Sequence, residues 1–142
     1  MAKVSTYLNF PRQTEEAFNF YKSVFGGEFA AVMRFKDSPP QYQGSEKESE
    51  KIMHIALPIG KGNILMASDV PEAYPKAVAG SGYSISVTAD SEQEAKKIFD
   101  GLSEGGKVTV PLDKAFWGAL FGMLSDKFGV QWMVSYDQNR QQ

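Results

Sequence analysis

Cysteine is absent from the sequence, and histidine occurs once, as His54. Without cysteine the chain forms no disulfide, has no thiolate nucleophile and offers no Cys-based metal site. A catalytic metal usually needs about three protein ligands, so a single imidazole cannot hold one alone. These absences exclude thiol chemistry and a histidine-rich metal centre.

The sequence also lacks a basic surplus and a long apolar run. Its 15 Lys and Arg residues stand against 17 Asp and Glu residues, for a formal net charge of −2. Phosphate contacts need clustered Lys and Arg, so nucleic acid is a poor candidate partner. No apolar run approaches the ~20 residues that span a bilayer, and the N-terminus lacks the features of a signal peptide. We therefore expect a soluble, cytoplasmic protein that binds neither nucleic acid nor membrane.

The apolar and aromatic residues follow strand and helix patterns in the first half of the chain. We predict a helix from Thr14, as its N-cap, to the terminating pair Gly26–Gly27. We predict strands at residues 4–10, 29–35, 52–57 and 64–67. Residues 36–51 are polar and predict a mobile loop, which at this length is either plain solvated chain or a lid.

The same order of elements returns in the second half, after residues 69–82, which read as a linker. A helix is predicted between the cap Asp90–Ser91 and the pair Gly105–Gly106. Strands are predicted at residues 83–88, 107–110, 116–125 and 130–136. The last two strands form a hairpin around Asp126–Lys127–Phe128–Gly129, because Asp bonds its own backbone there and Gly accepts a positive φ.

Strand, helix and three further strands thus occur twice, which predicts two tandem βαβββ modules. The fold class is α+β, with two curled mixed sheets around a cleft and the helices on the outer faces. The modules occupy about residues 1–70 and 82–137 of a single domain of 142 residues. A concave cleft is the default ligand site.

Two glycines, Gly118 and Gly122, interrupt the aromatic segment at residues 116–125. Glycine inside a strand costs stability unless something approaches the backbone closely. We therefore expect a partner strand, a partner chain or a ligand near both glycines.

Several short motifs are shared with one family. They include Tyr7–Leu8–Asn9–Phe10, Val24–Phe25–Gly26–Gly27, Phe116–Trp117–Gly118 and Trp132–Met133. Together they resemble the PhnB-like branch of the glyoxalase/bleomycin-resistance superfamily, also called the vicinal oxygen chelate fold, over nearly the whole chain. One departure is Lys127, since the family turn usually reads Asp-Pro-Phe-Gly. The resemblance implies paired βαβββ modules and commonly a homodimer whose clefts involve both chains.

The resemblance also implies where a divalent metal would bind in the superfamily's enzymes, which use His and Glu ligands. The ligand in the last strand is a Glu four residues after the turn glycine, and Met133 stands there. The ligand at the start of the second module is a His, and the candidates there are Tyr83 and Ser84. The first strand contains no His, Asp or Glu, so only His54 is left. We predict that the usual metal site is absent and expect no cofactor.

Each remaining candidate has a structural and a functional interpretation. His54 is either a hydrogen-bonded strand residue or a cleft residue that binds a ligand or acts as general base. The resemblance favours the cleft. Tyr7 either carries its hydroxyl into the cleft or packs at the sheet edge. Trp117, Phe121 and Met133 are either plain core or the wall of an aromatic cleft.

The sequence supports two leading functions. The first is a metal-independent protein that binds or sequesters a small molecule, with Tyr7, His54, Trp117, Phe121 and Met133 as ligand-binding residues and no catalytic residues. The alternative is a metal-dependent lyase, isomerase or dioxygenase of the same superfamily that uses His54. A methyltransferase is a third and weaker candidate, because the sequence has no Gly-rich nucleotide loop. The ligand and the reaction, if any, do not follow from these residues.

Overall fold

A computed structural model describes residues 2–39, 46–72 and 80–137 of the chain. The chain divides into two compact units, Met1–Val78 and Ala79–Gln142. Among the described residues, each unit contains four strands and one α-helix. The predicted pair of βαβββ modules is confirmed.

The first unit is built around a mixed four-stranded sheet, sheet 1. Its elements are β1 (Thr6–Phe10), α1 (Thr14–Phe25), β2 (Ala31–Arg34), β3 (Ile52–Pro58) and β4 (Ile64–Asp69). The strand order is β1-β4-β3-β2. Strand β1 runs parallel to β4, and the other neighbours are antiparallel.

Helix α1 is capped from another strand rather than by its own first residues. Gln13 occupies the N-cap without a side-chain hydrogen bond, so the prediction that Thr14 is the N-cap was wrong. The buried carboxylate of Asp69 accepts the Thr14 N–H at 3.1 Å and the Ile52 N–H at 2.8 Å. Asp69 is the last residue of strand β4, so the predicted linker does not begin there.

Arg34 joins β2 to the first turn of α1. Its guanidinium donates to both carboxylate oxygens of Glu15, at 2.6 and 3.1 Å, and to the Glu50 carbonyl at 2.8 Å. The hydrogen bond from Arg34 holds the pKa of Glu15 below its usual value of 4.5, against a smaller opposing effect of burial. The ion pair thus connects the helix, the edge strand β2 and the segment before β3.

The segment predicted as a mobile loop is ordered at its described ends. Short 3-10 turns occur at Phe35–Asp37 and Glu46–Glu48. The Phe35 N–H donates to the Lys51 carbonyl at 3.1 Å, and the Lys36 N–H donates to the Ser49 carbonyl at 3.0 Å. Residues 40–45, the middle of the predicted loop, lie outside the described residues, so the lid interpretation stays a prediction.

The second unit repeats this plan with sheet 2. Its elements are β5 (Ile85–Thr88), α2 (Glu92–Ser103), β6 (Lys107–Lys114), β7 (Leu120–Ser125) and β8 (Gln131–Tyr136). The strand order is β5-β8-β7-β6, with β5 parallel to β8. The predicted cap of α2 is confirmed, because the Ser91 hydroxyl accepts the Glu94 N–H at 3.0 Å.

The closing hairpin is shorter than predicted at its start. Residues 116–119 form a turn between β6 and β7, not the beginning of a strand. The Gly118 N–H donates to the Ala115 carbonyl at 2.9 Å, and its φ of +97° is incompatible with an extended strand. The turn at the other end is confirmed, since Asp126 accepts the Phe128 N–H at 2.8 Å and Gly129 has a φ of +87°.

Each helix covers one face of its own sheet. The buried side chains of unit 1 include Phe18, Tyr21, Ile55, Leu57 and Leu65, and those of unit 2 include Ile98, Phe99, Leu102, Trp132 and Val134. No helix within residues 2–39, 46–72 and 80–137 has the length and apolar character needed to cross a membrane. The face of each sheet opposite its helix, here called the far face, carries the candidate site residues.

Candidate functional site

Strand register assigns residues of sheet 2 to its two faces. Gly122 lies on the helix side, because a Cβ there would be 2.7 Å from the Phe99 ring of α2. Its neighbour in sequence, Phe121, therefore points to the far face, as does Ser135, its cross-strand partner. Met133 alternates with Trp132, which is buried on the helix side, and so also lies on the far face.

A cavity of about 590 Å³ opens on this far face, and all its lining residues belong to unit 2. Three of the predicted site residues form its apolar wall: Trp117, Phe121 and Met133. The Trp117 and Phe121 rings meet edge to face, with centroids 5.6 Å apart. Trp117 remains 56% exposed, so this wall is not a filled core.

Polar side chains line the rest of the cavity. The hydroxyls of Ser86 and Thr88 on β5 and of Ser135 on β8 all contribute to the lining. They come together because Ser86 pairs with Met133 and Thr88 pairs with Ser135 in the parallel ladder. Asp90 and Asp137 also line the cavity. None of these five residues was predicted to belong to a site, although the alternation of apolar and hydroxyl residues on β5 was a signal for two of them.

The other two predicted site residues, Tyr7 and His54, meet on the far face of sheet 1. The Tyr7 hydroxyl lies 3.4 Å from Nδ1 of His54, and the two rings stack with centroids 5.9 Å apart. The ladder places Met66 beside Tyr7 and Met33 beside His54. Tyr7 is 44% exposed and His54 is half-buried. This pair can offer hydrogen bonds to a small molecule and can exchange a proton with it.

The five predicted residues thus form two groups, one in each unit. Trp117, Phe121 and Met133 share the cavity, whereas Tyr7 and His54 share the far face of sheet 1.

Each unit has the elements of one βαβββ module, and comparison of the sequence with known families leads to the same class of protein. Residues 5–134 match the Glyoxalase/Bleomycin resistance protein/Dioxygenase superfamily. The chain therefore belongs to this superfamily.

Individual relatives resemble the chain along most of its length. Protein PA1353 from Pseudomonas aeruginosa is 42% identical in sequence. Its crystal structure matches with a TM-score of 0.87, over 98% of this chain and 100% of that one. The PhnB protein from Bacillus cereus is 28% identical, with a TM-score of 0.73 over 95% and 99% of the two chains. Protein YjdN of Escherichia coli is 27% identical in an alignment 140 positions long that covers 93% of this chain and 93% of that protein. The chain is thus similar to PhnB-like proteins, as its motifs predicted.

The side chains present do not fit the divalent metal of the superfamily's enzymes. Within the described part of the chain, no group of three or more His, Asp or Glu side chains is placed to hold a metal ion. Met133, at the position of the expected Glu, offers a thioether, which is a poor ligand for a hard cation. On the far face of sheet 1, the hydroxyl of Tyr7 lies beside His54, and the ladder pairs His54 with the thioether-bearing Met33.

Proposed function

We propose that the chain is a small-molecule-binding protein that takes a planar, partly apolar ligand into the cavity of unit 2 without the help of a metal. The observation that supports this proposal is the aromatic wall formed by exposed Trp117 and half-buried Phe121. The cavity volume of about 590 Å³ lies in the range of roughly 300–1,000 Å³ that is usual for ligand sites.

The chemistry of the lining supports binding by stacking and burial. Aromatic faces and the soft thioether of Met133 suit a flat ligand, because such contacts add to the burial of apolar area. The hydroxyls of Ser86, Thr88 and Ser135 supply donors and acceptors that fix the orientation of the ligand. None of these groups is a strong nucleophile in this setting, so the cavity is suited to recognition rather than to covalent chemistry.

The competing function is a metal-dependent lyase, isomerase or dioxygenase that uses His54. His54 and Tyr7 supply one imidazole and one phenol on the far face of sheet 1. A divalent metal in such an enzyme needs about three protein ligands, usually including a carboxylate. The donor chemistry therefore favours the binding protein.

Titration with tryptophol, a neutral indole alcohol, tests the proposed cavity. We expect saturable binding in calorimetry and at least about fivefold weaker binding to Trp117→Ala, since one aromatic contact is worth about 1 kcal/mol. Tyr83→Ala is the matched control, because Tyr83 is an exposed aromatic of the same unit that does not line the cavity. Equal affinities of wild type, Trp117→Ala and Tyr83→Ala would contradict the proposal.

We also propose, from membership of the superfamily, that the chain is a cytoplasmic homodimer. Light scattering after size-exclusion chromatography measures the mass directly. A homodimer has twice the chain mass of 15.7 kDa, whereas a mass of one chain at all concentrations would refute the dimer.

A further inference from the structure

The cavity of unit 2 has acidic side chains at one end, and its described lining residues include no basic side chain. Asp90 and Asp137 are both lining residues, whereas the described part of the lining contains no Lys, Arg or His. This imbalance is local, because the chain as a whole carries nearly equal numbers of acidic and basic residues.

The parallel pairing of β5 and β8 brings the two carboxylates to the same end of the cavity. Thr88 is paired with Ser135, and the Ala89 N–H donates to the Ser135 carbonyl at 2.8 Å. Asp90 comes two positions after Thr88, and Asp137 comes two positions after Ser135. Parallel strands in register end at the same edge of a sheet, so the two acidic residues flank one end of the cavity.

A further carboxylate lies beside Asp90. The side chain of Glu94 accepts the Asp90 N–H at 2.8 Å, in the first turn of α2. The start of a helix favours negative charge, and here Glu92 and Glu94 already supply it. An anionic ligand entering at this end would meet the like charges of Asp90 and Asp137, with Glu94 next to Asp90.

The aromatic wall reaches the same end. Phe121 is the cross-strand partner of Ser135, and Trp117 packs on Phe121 from the turn that precedes β7. Tryptophan offers the best aromatic face for a cation, and nearby carboxylates attract the same charge. Aromatic faces and carboxylates at one end of a cavity are complementary to a ring that carries a protonated amine.

We propose that the ligand of this cavity is a cationic aromatic amine, and that Asp90 selects for its positive charge. This inference rests on the proposed function, because it names the class of ligand for the same cavity. Carboxylates and phosphate or phosphonate esters are disfavoured as ligands, since Asp90 and Asp137 would repel them and the described lining residues include no basic side chain to receive them.

Three indoles of nearly equal size test the inference: tryptamine is a cation, tryptophol is neutral and indole-3-acetate is an anion. Calorimetric titrations near neutral pH and at low ionic strength should rank them in that order of affinity. Each step should be roughly two- to fivefold, the range of a partly exposed charge interaction. The spread should narrow as salt is added, because salt screens exposed charges.

Substitution of Asp90 assigns the charge preference to one residue. Asp90→Asn should weaken tryptamine binding roughly two- to fivefold and leave tryptophol binding unchanged. Asp100→Asn is the matched control, since Asp100 is an exposed acid of α2 outside the cavity lining. Equal affinities for the three indoles, or tightest binding of indole-3-acetate, would overturn the inference of a cationic ligand. If Trp117→Ala still weakened the binding of all three indoles, the proposal of an aromatic binding cavity would be retained. Absence of binding by all three indoles would overturn both proposals.

Discussion

Single buried carboxylates organise the backbone of both units. Asp69 accepts the N–H groups of Thr14 and Ile52 in unit 1. In unit 2, Asp126 accepts the N–H groups of Phe128 and Val130 and the indole N–H of Trp132, at 2.8, 3.0 and 2.9 Å. A buried carboxylate with several donors is stable only while those donors remain in place, so each Asp fixes a turn or a helix start.

Asp126→Asn should therefore destabilise unit 2. The amide of asparagine keeps one acceptor oxygen, which can still accept the Phe128 and Val130 N–H groups. Its NH₂ group would then face the indole N–H of Trp132, which the second carboxylate oxygen of Asp126 accepts in the wild type. We expect the free energy of unfolding to fall by about 2–3 kcal/mol, the usual cost when a buried donor loses its hydrogen bond to a charged acceptor. Urea unfolding followed by circular dichroism measures this loss. Asp100→Asn serves again as control and should change the stability by less than about 0.5 kcal/mol. Similar stabilities of the two variants would contradict this role of Asp126.

The two glycines of the aromatic segment have different reasons to be there. A Cβ on Gly122 would lie 2.7 Å from the Phe99 ring and 2.9 Å from Cα of Leu112. Close approach was predicted for both glycines and is found at Gly122. At Gly118 no described atom of the chain lies within 4 Å of the place a Cβ would take, so a partner chain or a ligand at Gly118 stays a prediction. Its positive φ of +97° is the feature that requires glycine.

Gly122→Ala should cost about 1–3 kcal/mol of stability, because the added methyl group overpacks the contact between α2 and sheet 2. Thermal unfolding compared with Gly82→Ala provides the measurement. Gly82 has open space where a Cβ would lie and has no positive φ. Gly82→Ala should therefore leave the melting temperature unchanged or raise it slightly. An unchanged melting temperature for Gly122→Ala would show that α2 does not pack as closely on β7 as described.

At the scale of elements, the ion pair between Arg34 and Glu15 makes the stability of unit 1 depend on pH. Arg34 lowers the pKa of Glu15 below 4.5 in the folded state. A lowered pKa contributes stability that is present above the ordinary value and is lost as the pH falls through the folded value. About half of the Glu15 side chain is exposed, so the contribution is that of a surface pair, about 0.5–1 kcal/mol.

Glu15→Gln should accordingly lower the free energy of unfolding by about 0.5–1 kcal/mol near neutral pH and make no difference in acid well below pH 4.5. Denaturant titrations at several pH values would follow the difference between the two proteins. Glu16→Gln is the matched control, because Glu16 lies in the same first turn of α1 and experiences the same helix dipole. A pH-independent difference between wild type and Glu15→Gln would argue against the ion pair.

Local signals in the sequence predicted the order of elements well. Paired glycines marked the ends of both helices, and the Asp126 turn was predicted with its hydrogen bond. The start of β7 was placed too early, because aromatic residues 116–117 read as strand although Gly118 forces a turn. The cap of α1 was also missed, since the Thr14 N–H donates to the carboxylate of Asp69, which lies 55 positions away in sequence.

The candidate site was only partly predictable for the same reason. Trp117, Phe121 and Met133 stand out by residue type, and all three line one cavity, whereas their role in ligand binding stays a prediction. The hydroxyls and carboxylates that complete the cavity come from β5 and β8, which are more than 40 positions apart in sequence. Their alignment depends on strand register, and register between distant parallel strands is set by tertiary packing rather than by local pattern.

At the scale of the whole molecule, two similar units carry different chemistry on their far faces. Unit 1 presents the Tyr7–His54 pair, and unit 2 presents an aromatic cavity with acidic residues at one end. The superfamily is defined by the repeated module, and its members differ in the side chains that the modules present. Here Met133 stands where the resemblance places a Glu ligand of the superfamily's enzymes, and it lines the cavity of unit 2.

The most direct test of metal-independent binding combines metal analysis with a ligand titration. Elemental mass spectrometry of the purified protein, with tryptamine titrations before and after treatment with EDTA, should show no stoichiometric metal and an unchanged dissociation constant. One tightly held metal ion per chain that is lost in His54→Ala, together with loss of tryptamine binding after chelation, would contradict this account and favour the metal-dependent enzyme.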